Sequence, residues 1–128
     1  MRAGRTLRQI VIARIKDQVP ALGGRVYDRA TEDAIFPYCT LGPSYWTDGS
    51  VECIEAREVT LQADIWHSQA SKGAAEDVVD DVAAALNGWA DQNALTMHPA
   101  SVSLVRIMDD PDGVTIHGVI QIEVMVEA

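Results

Sequence analysis

Residues 112–128 run DGVTIHGVIQIEVMVEA, and this stretch decides the fold. From position 114 to position 126 every even residue is apolar or glycine, while the odd positions include Thr115, His117, Gln121 and Glu123. Successive side chains point to opposite faces of a strand, so a period of two predicts one strand with one buried face. At roughly 3.3 Å per residue this strand spans about 40 Å, roughly twice the common strand length. The stretch therefore indicates an antiparallel sheet with helices on its apolar side.

Length and charge narrow the class of protein. The 128 residues suffice for a single domain, residues 1–128, with its own core. The formal net charge is -9, yet residues 1–16 carry five basic side chains and no acid. Residues 65–128 carry two basic and ten acidic side chains, which gives -8 for that half. A domain this acidic is poorly suited to binding a phosphate backbone. A negative surface repels a DNA duplex and would let it move past without binding.

Nothing in the chain indicates export or membrane insertion. The apolar run at residues 10–13 is broken by Arg14, and no small-residue cleavage pattern follows it. No stretch approaches the roughly eighteen apolar residues of a membrane span. Cys39 and Cys53 suit a reducing compartment. We therefore expect synthesis in the cytosol and no membrane partner.

Two helices are predicted from period-3.6 patterns. Residues 5–18 place Leu7, Ile10, Val11 and Ile15 on one face, and Val19-Pro20 ends the helix. The opposite face is basic; Arg5 and Arg8 are candidates for docking an acidic neighbour, and simple solvation is the alternative. A second helix begins near Ser71 and runs to about residue 91, with an apolar stripe of Val78, Val79, Val82, Leu86 and Trp89 and an acidic N-terminal half of Glu76, Asp77, Asp80 and Asp81.

A long hairpin is predicted between the helices. Residues 35–41 form a strand with Ile35, Cys39 and Leu41 on one face, and Gly42-Pro43 interrupts it. Asp48-Gly49 predicts a two-residue turn, and the returning strand runs to about Trp66. Such a turn pairs positions that sum to 97, which places Cys39 opposite Glu58 and Cys53 opposite Ser44. A disulfide between the two cysteines is therefore not expected.

The outer part of this hairpin is a candidate contact surface. Alternation is clean only at residues 58–64, so we expect the outer part to project beyond the helices as an arm. Tyr45 and Trp46 would then be partly exposed beside the tip at Asp48 and Gly49, and exposed aromatic side chains favour a protein interface. The alternative is that both rings fold back onto the core.

The last hairpin completes the fold class. Residues 102–108 form a strand whose parity shifts between Leu104 and Val105, which is typical of a bulge. Residues 109–113 form a turn with Pro111 and Gly113, and the long strand follows. The order α-β-β-α-β-β predicts an α+β fold: a four-stranded, mainly antiparallel sheet with two helices on one face and a long β-hairpin arm.

The chain offers little for catalysis. His67, His98 and His117 lack metal-ligand spacing with one another or with the cysteines, and Cys39 occupies a core-facing position. No phosphate loop, nucleophile elbow or dinucleotide fingerprint occurs. We therefore expect no enzyme, no metal and no cofactor.

The final strand instead favours self-association. It contains no Lys, Arg or Pro, the residues that natural proteins use to blunt exposed sheet edges. If this strand lies at an edge, it needs a partner, and head-to-tail pairing of identical subunits closes into a ring when the rotation permits. The basic N-terminus and the acidic second half would suit such contacts.

Several short motifs in order resemble the tail terminator, or tail completion, family of long-tailed bacteriophages and gene transfer agents. They are Gly24-Arg25-Val26-Tyr27-Asp28, Phe36-Pro37-Tyr38, Ile65-Trp66-His67-Ser68 followed by Gly73 and Glu76, and Asp110-Pro111-Asp112-Gly113-Val114-Thr115-Ile116-His117-Gly118. The resemblance covers nearly the whole chain. It implies structural roles for these motifs, with Gly24, Gly113 and Gly118 serving backbone geometry and Tyr27, Phe36, Pro37 and Trp66 serving packing.

The resemblance also implies a function. A small α+β subunit would form a homohexameric ring that caps the tail tube, stops addition of the tube protein and joins the head connector. It would be assembled in the bacterial cytoplasm, reside in the tail or neck of the particle and let DNA pass through its bore without specific binding. We expect Glu58, Asp64 or Glu123 to line that bore. The alternatives are another head-tail joining ring and, further away, a small hydrolytic or ligand-binding domain using Cys39 or His117.

Overall fold

A mixed sheet of six strands carries both helices on one face. The structure is a computed structural model that describes residues 1–30 and 33–128. In chain order the elements are α1 (Gly4–Gln18), β1 (Val26–Tyr27), β2 (Tyr38–Asp48), β3 (Ala56–Ser68), α2 (Lys72–Leu86), β4 (Thr96–Met97), β5 (Ser101–Asp109) and β6 (Thr115–Glu127). Short 3-10 turns at Pro20–Leu22 and Gln69–Ser71 follow α1 and precede α2.

The long final strand lies inside the sheet, so the condition under which it would need a partner, a place at the edge, is not met. The strands lie in the order β1-β2-β3-β6, and β4 and β5 pair with successive parts of the far side of β6. The predicted four-stranded sheet is also incomplete, because β1 pairs in parallel with β2 and β4 adds a sixth strand. Both missing strands have two residues, too few for alternation to be recognised. Among the described residues, the longest free edges belong to β5 and to the part of β2 beyond β1.

The core lies between the helices and one face of the sheet. α1 contributes Leu7, Val11 and Ile15, as its spacing predicts. α2 contributes a broader stripe of Ala75, Val78, Val79, Val82, Ala85 and Leu86. Facing them are alternate residues of the two central strands, Val59, Leu61, Ala63 and Ile65 from β3 and Ile120, Ile122, Val124 and Val126 from β6. The packing of both helices on one face is thus confirmed.

The predicted two-residue hairpin turn is wrong. β2 and β3 are joined by residues 49–55, and the pairing runs from Tyr38↔Trp66 to Asp48↔Arg57. The Asp48 carboxylate accepts the Ser50 backbone N–H at 2.9 Å and so turns the chain locally instead of closing the hairpin. Gly42-Pro43 does not interrupt the strand but forms a bulge within it, where the register shifts between Leu41 and Ser44.

The outer part of β2, residues 43–48, is exposed on both faces, as expected for a part beyond the helices, but the hairpin is not separate from the sheet. β6 pairs with every residue of β3, from Ala56↔Glu127 to Ser68↔Thr115. The backbone N–H of Ala128 donates to the Glu55 carbonyl at 2.9 Å and ties the loop to the chain end. Only residues 49–55 extend past the paired strands. The alternation before residue 58 is unclear in the sequence because those residues belong to this loop and to the end of β3.

Three further boundaries differ from those predicted. α2 ends at Leu86 and not near residue 91, because Gly88 adopts a φ of 78° and turns the chain out of the helix. The first hairpin strand begins at Tyr38, after a cis Phe36–Pro37 peptide bond, and leaves Ile35 68% exposed where a buried residue was expected. The bulge in β5 lies at Ser103, between Val102 and Leu104.

The two cysteines lie in different environments. Cys39 pairs with Ile65 and is fully buried on the helix side of the sheet. Burial, reinforced by the nearby Asp64 carboxylate, raises the pKa of the Cys39 thiol to about 12. Cys53 is exposed in the hairpin loop, and both thiols are free. The register proposed from sequence was wrong, but the absence of a bond between these two cysteines is confirmed.

Gly118 is required by close packing, which gives a first prediction. A Cβ at this position would lie 2.5 Å from Val79 Cγ2 and 3.4 Å from Ile65 Cβ. We expect Gly118→Ala to lower the free energy of unfolding by about 1–3 kcal/mol, since overpacking forces the helix from the sheet. Urea unfolding curves measure this change. The control is Gly73→Ala on the exposed side of α2, where a Cβ meets nothing within 4 Å; equal midpoints for the two variants would contradict the packing argument.

The cysteine environments give a second prediction. At pH 8 the Cys39 thiol stays protonated and inaccessible, so a thiol reagent should modify one cysteine per native chain and two after unfolding. Cys53→Ser should abolish labelling of the native protein, and Cys39→Ser should leave it unchanged. Rapid labelling of native Cys53→Ser protein would show that Cys39 is accessible, contrary to the structure.

Candidate functional site

The sheet face opposite the helices is a broad polar surface. Alternation places Glu58, Thr60, Gln62 and Asp64 of β3 on this face, beside Met125, Glu123, Gln121 and Val119 of β6. No helix of residues 1–30 and 33–128 packs on it. The three acids expected to line a bore, Glu58, Asp64 and Glu123, therefore share one face. Glu58 is exposed, Glu123 is half-buried and Asp64 is buried.

Asp64 lies at the centre of a hydrogen-bond network. Its Oδ1 atom lies 2.7 Å from His117 Nε2 and accepts a hydrogen bond from Gln62 Nε2 at 2.8 Å. A Cβ on Gly42 of the neighbouring strand would approach Asp64 Oδ2 to 2.6 Å, so a glycine leaves room for the carboxylate. The network satisfies a buried acid, as buried polar groups require. Cys39 cannot join it as a nucleophile, because the Cys39 side chain points to the opposite face.

An aromatic belt crosses the sheet at the start of β6. Tyr38, Trp66, His117 and Met108 are register neighbours on four adjacent strands, and we call these four residues the belt. The Trp66 and His117 rings stack at 4.0 Å and 9°, and Tyr38 lies 6.4 Å from Trp66. Burial, with the charge of Asp110 in addition, raises the pKa of Tyr38.

Residues of the motifs that resemble the tail terminator family lie around this belt. Phe36 stacks on Tyr38 at 5.9 Å, and Tyr27 approaches Tyr38 to 6.4 Å. The Pro37 carbonyl accepts a hydrogen bond from Arg25 Nε at 2.9 Å. The two turn glycines have positive φ, 77° at Gly24 and 75° at Gly113, a region that glycine adopts without steric cost. These residues therefore surround one end of the sheet.

The opposite end of the sheet carries a second group of exposed aromatic and apolar residues. Tyr45 is 60% exposed and Trp46 is 52% exposed, and their register places them on opposite faces of β2. The Arg57 guanidinium covers the Trp46 ring at 3.9 Å, a cation–π contact. Beside them the loop exposes Val51 and Ile54. We call Tyr45, Trp46, Val51 and Ile54 the loop end.

The predicted tip residues stabilise this loop. Hydrogen bonds from the side chain and backbone of Ser50 lower the pKa of Asp48. The backbone N–H of Gly49 donates to the Ala56 carbonyl at 3.0 Å. A Cβ on Gly49 would lie 2.8 Å from Met125 Sδ, so this position favours glycine. Asp48 and Gly49 therefore organise the loop that presents the exposed apolar side chains.

The basic face of α1 divides into structural and exposed arginines. Arg8 pairs with Asp28 at 2.9 Å and donates to the Gly42 carbonyl at 3.1 Å, which ties α1 to β2. Arg14 donates to the Ala85 carbonyl at 2.9 Å, which ties α1 to α2. Arg5 is exposed and has no acidic partner among the described residues. Arg8 therefore forms contacts within the chain, whereas Arg5 has an exposed guanidinium without an acidic partner among residues 1–30 and 33–128.

The β5 side of the subunit was not recognised from sequence. A groove between α2 and β5 is lined by Lys72, Glu76, Ile107, Met108, Asp109 and Ile116. Lys72 Nζ lies 3.6 Å from Asp109 Oδ1 at its rim. The alternation within β5 is disturbed by the bulge, so sequence gave no sign that this strand forms the edge. Parity alone could not have revealed which strand is outermost.

Within residues 1–30 and 33–128, the histidines lie outside any cluster of metal-ligating side chains. Residues 1–30 and 33–128 contain no group of three or more histidine, cysteine or acidic side chains placed to hold an ion. His98 instead contacts Glu127 at 2.9 Å, and burial lowers the pKa of His67. Neither α1 nor α2 has the length and apolar character needed to cross a membrane.

Comparison with known proteins finds a matching family model and similar solved structures. The family model of the tail completion protein gp17 matches residues 8–127. The fold is similar to that of a chain in the virion of a native gene transfer agent (GTA) particle, with a TM-score of 0.81, 18% identity and 95% of each chain covered. No curated protein sequence matches. At this identity the structural match concerns the fold, whereas the family match covers nearly the whole chain. The chain therefore belongs to the tail completion protein gp17 family.

Proposed function

We propose that this chain is a structural tail protein whose copies form a ring that ends the tail tube and joins it to the head connector. The observation that carries the proposal is the match of residues 8–127 to the tail completion family. The likeness in fold to a chain from a gene transfer agent virion supports it. The ring acts through shape complementarity. One face of the ring matches the last layer of the tube, and the other face lacks the surface that a further layer needs, so addition of tube protein stops there.

The two ends of the sheet suit two different partners. At the belt end, Ile35, Phe36 and Val114 are 68%, 38% and 63% exposed. The loop end exposes Tyr45, Trp46, Val51 and Ile54. Exposed aromatic and apolar groups at both ends of one subunit are typical of a protein held between two others. We assign the tube to one end and the head connector to the other.

The polar sheet face suits the bore. Glu58 and Glu123 lie on it around the buried Asp64 network. Carboxylates facing the axis repel the phosphate backbone, so DNA passes without sticking. The helices then lie on the outside of the ring.

The capping role gives a third prediction. Purified protein added at a low molar ratio to polymerising tail tube protein should stop elongation and leave short tubes with a ring at one end. Tube length is measured by negative-stain electron microscopy. The control is an equal amount of heat-unfolded protein, which should leave tube length unchanged.

The same experiment separates the alternative function. A head-tail joining ring that does not end the tube binds the head connector, and tube elongation continues in its presence. Unlimited growth with folded protein present would therefore contradict the capping role and favour the neck adaptor.

The bore gives a fourth prediction. Glu58→Lys with Glu123→Lys changes the polar face by four charge units and should make the assembled ring retain duplex DNA at physiological salt, where the unaltered ring does not. DNA transfer by particles carrying the variant should fall tenfold or more. The control is Asp77→Lys with Asp81→Lys, the same change of charge on the exposed side of α2. Unchanged passage and transfer in the Glu58 and Glu123 variant would contradict the bore assignment.

A further inference from the structure

The subunit has two flanks, one at each free edge of the sheet, and they differ in charge. The basic flank comprises the outer edge of β2 with Arg5 and Lys16 of α1. The acidic flank comprises the outer edge of β5 with Glu76 and Asp80 of α2. In the part of the chain that the structure describes, only the two-residue β1 covers β2, and no strand covers the outer edge of β5.

The contacts of α1 define the basic flank. Arg8 reaches the carbonyls of Leu41 and Gly42, so its side of the helix faces β2. Arg14 reaches Ala85, so the opposite side faces α2. Residues three or four apart share a helix face. Arg5 lies one turn before Arg8, and Lys16 lies two turns after it, so both belong to the side away from α2.

The contacts of α2 define the acidic flank. Glu76 lines the groove with Ile107 and Asp109, so its side of the helix faces β5. Asp80 lies one turn further on the same stripe. Asp81 instead lines a groove with Arg14 and Gln18 of α1. Glu76 therefore stands beside β5 and Asp80 continues its stripe along α2, whereas Asp77 shares the stripe of Asp81 on the α1 side.

We infer that the basic flank of one subunit docks against the acidic flank of a second copy of this chain. The two flanks lie on opposite sides of the molecule, so a two-fold contact of either flank with itself brings like charges together. A head-to-tail contact pairs opposite charges and repeats around a ring. It also covers both free edges, including Leu104 and Val105 of β5, which are each 42% exposed. This inference rests on the proposed ring and specifies its subunit contact.

Two flank variants test the pairing. Arg5→Glu with Lys16→Glu makes the basic flank acidic, and Glu76→Lys with Asp80→Lys makes the acidic flank basic. Each variant alone then meets like charges at every contact, and its self-association should weaken by about tenfold or more. Light scattering coupled to size exclusion measures the mass, and thermal unfolding confirms that each variant is folded. Rising salt should weaken association of the unaltered protein.

Mixing the variants gives the sharper result. One variant has two acidic flanks and the other two basic flanks, so an equimolar mixture should associate in alternation and contain equal numbers of both chains. A chain carrying all four substitutions should also associate with itself. The matched control is Asp77→Lys with Asp81→Lys. It changes the net charge of α2 by the same amount but on the stripe away from the acidic flank, so this variant should associate normally.

The outcomes separate this contact from the proposed function. Association is measured with and without tail tubes, so that a ring which closes only on the tube is also counted. Three outcomes overturn the pairing. They are normal assembly of either flank variant alone, no assembly of the mixed variants, and no assembly of the unaltered protein with or without tubes. Rescue without arrest of tube growth supports the pairing and rejects the capping role. Tube capping by every variant supports the capping role and rejects the pairing.

Discussion

The pairing of β3 with β6 along the full length of both strands is the constraint on which the structure depends. It aligns two alternating patterns, so that Leu61 and Ile122 face the helices while Gln62 and Gln121 face away. A shift of one residue would place acids such as Asp64 among the helices and expose the aliphatic row. Close packing of α2 over Gly118 further fixes where the helix lies. The two faces, and therefore the two environments in which the protein can act, follow from this single register.

The surfaces proposed for assembly, which are the belt, the loop end and the two flanks, lie at the ends of the β3–β6 pairing or outside it. The belt forms where four strands begin or end together, and the loop end forms where the β2–β3 hairpin leaves the support of β6. The flanks exist because the sheet stays open on both sides. A subunit of this kind contributes surfaces with fixed relative directions instead of a cleft. The pair of half-buried His117 and buried Asp64 stabilises one of these surfaces, and the nearby thiol, Cys39, is held in the core.

The fold was predictable wherever one residue pattern was long enough to dominate. Both helices, the burial of Val59, Leu61, Ala63 and Ile65, and the long final strand follow from periodicity. Strand order does not, because alternation along one strand does not say which strand lies beside it, and only tertiary pairing decides which strand lies inside. The prediction of a two-residue hairpin turn was wrong for a local reason. Asp48-Gly49 favours a tight turn, but the Asp48 carboxylate accepts a hydrogen bond from Ser50 and a longer loop forms. Of the candidate site residues, Tyr45 and Trp46 are exposed as the composition indicated, whereas Arg8 is occupied within the subunit. The acidic stripe of the second helix was visible in the sequence, but its position beside β5 was not, since the two elements meet only after the helix has packed on the sheet.

The position of Cys53 has a practical consequence. It is the accessible one of the two thiols, and it stands in the loop that marks one end of the strands. A fluorophore attached there reports, through its emission, whether this loop becomes covered when another protein binds. Such a probe is introduced without adding or removing any residue.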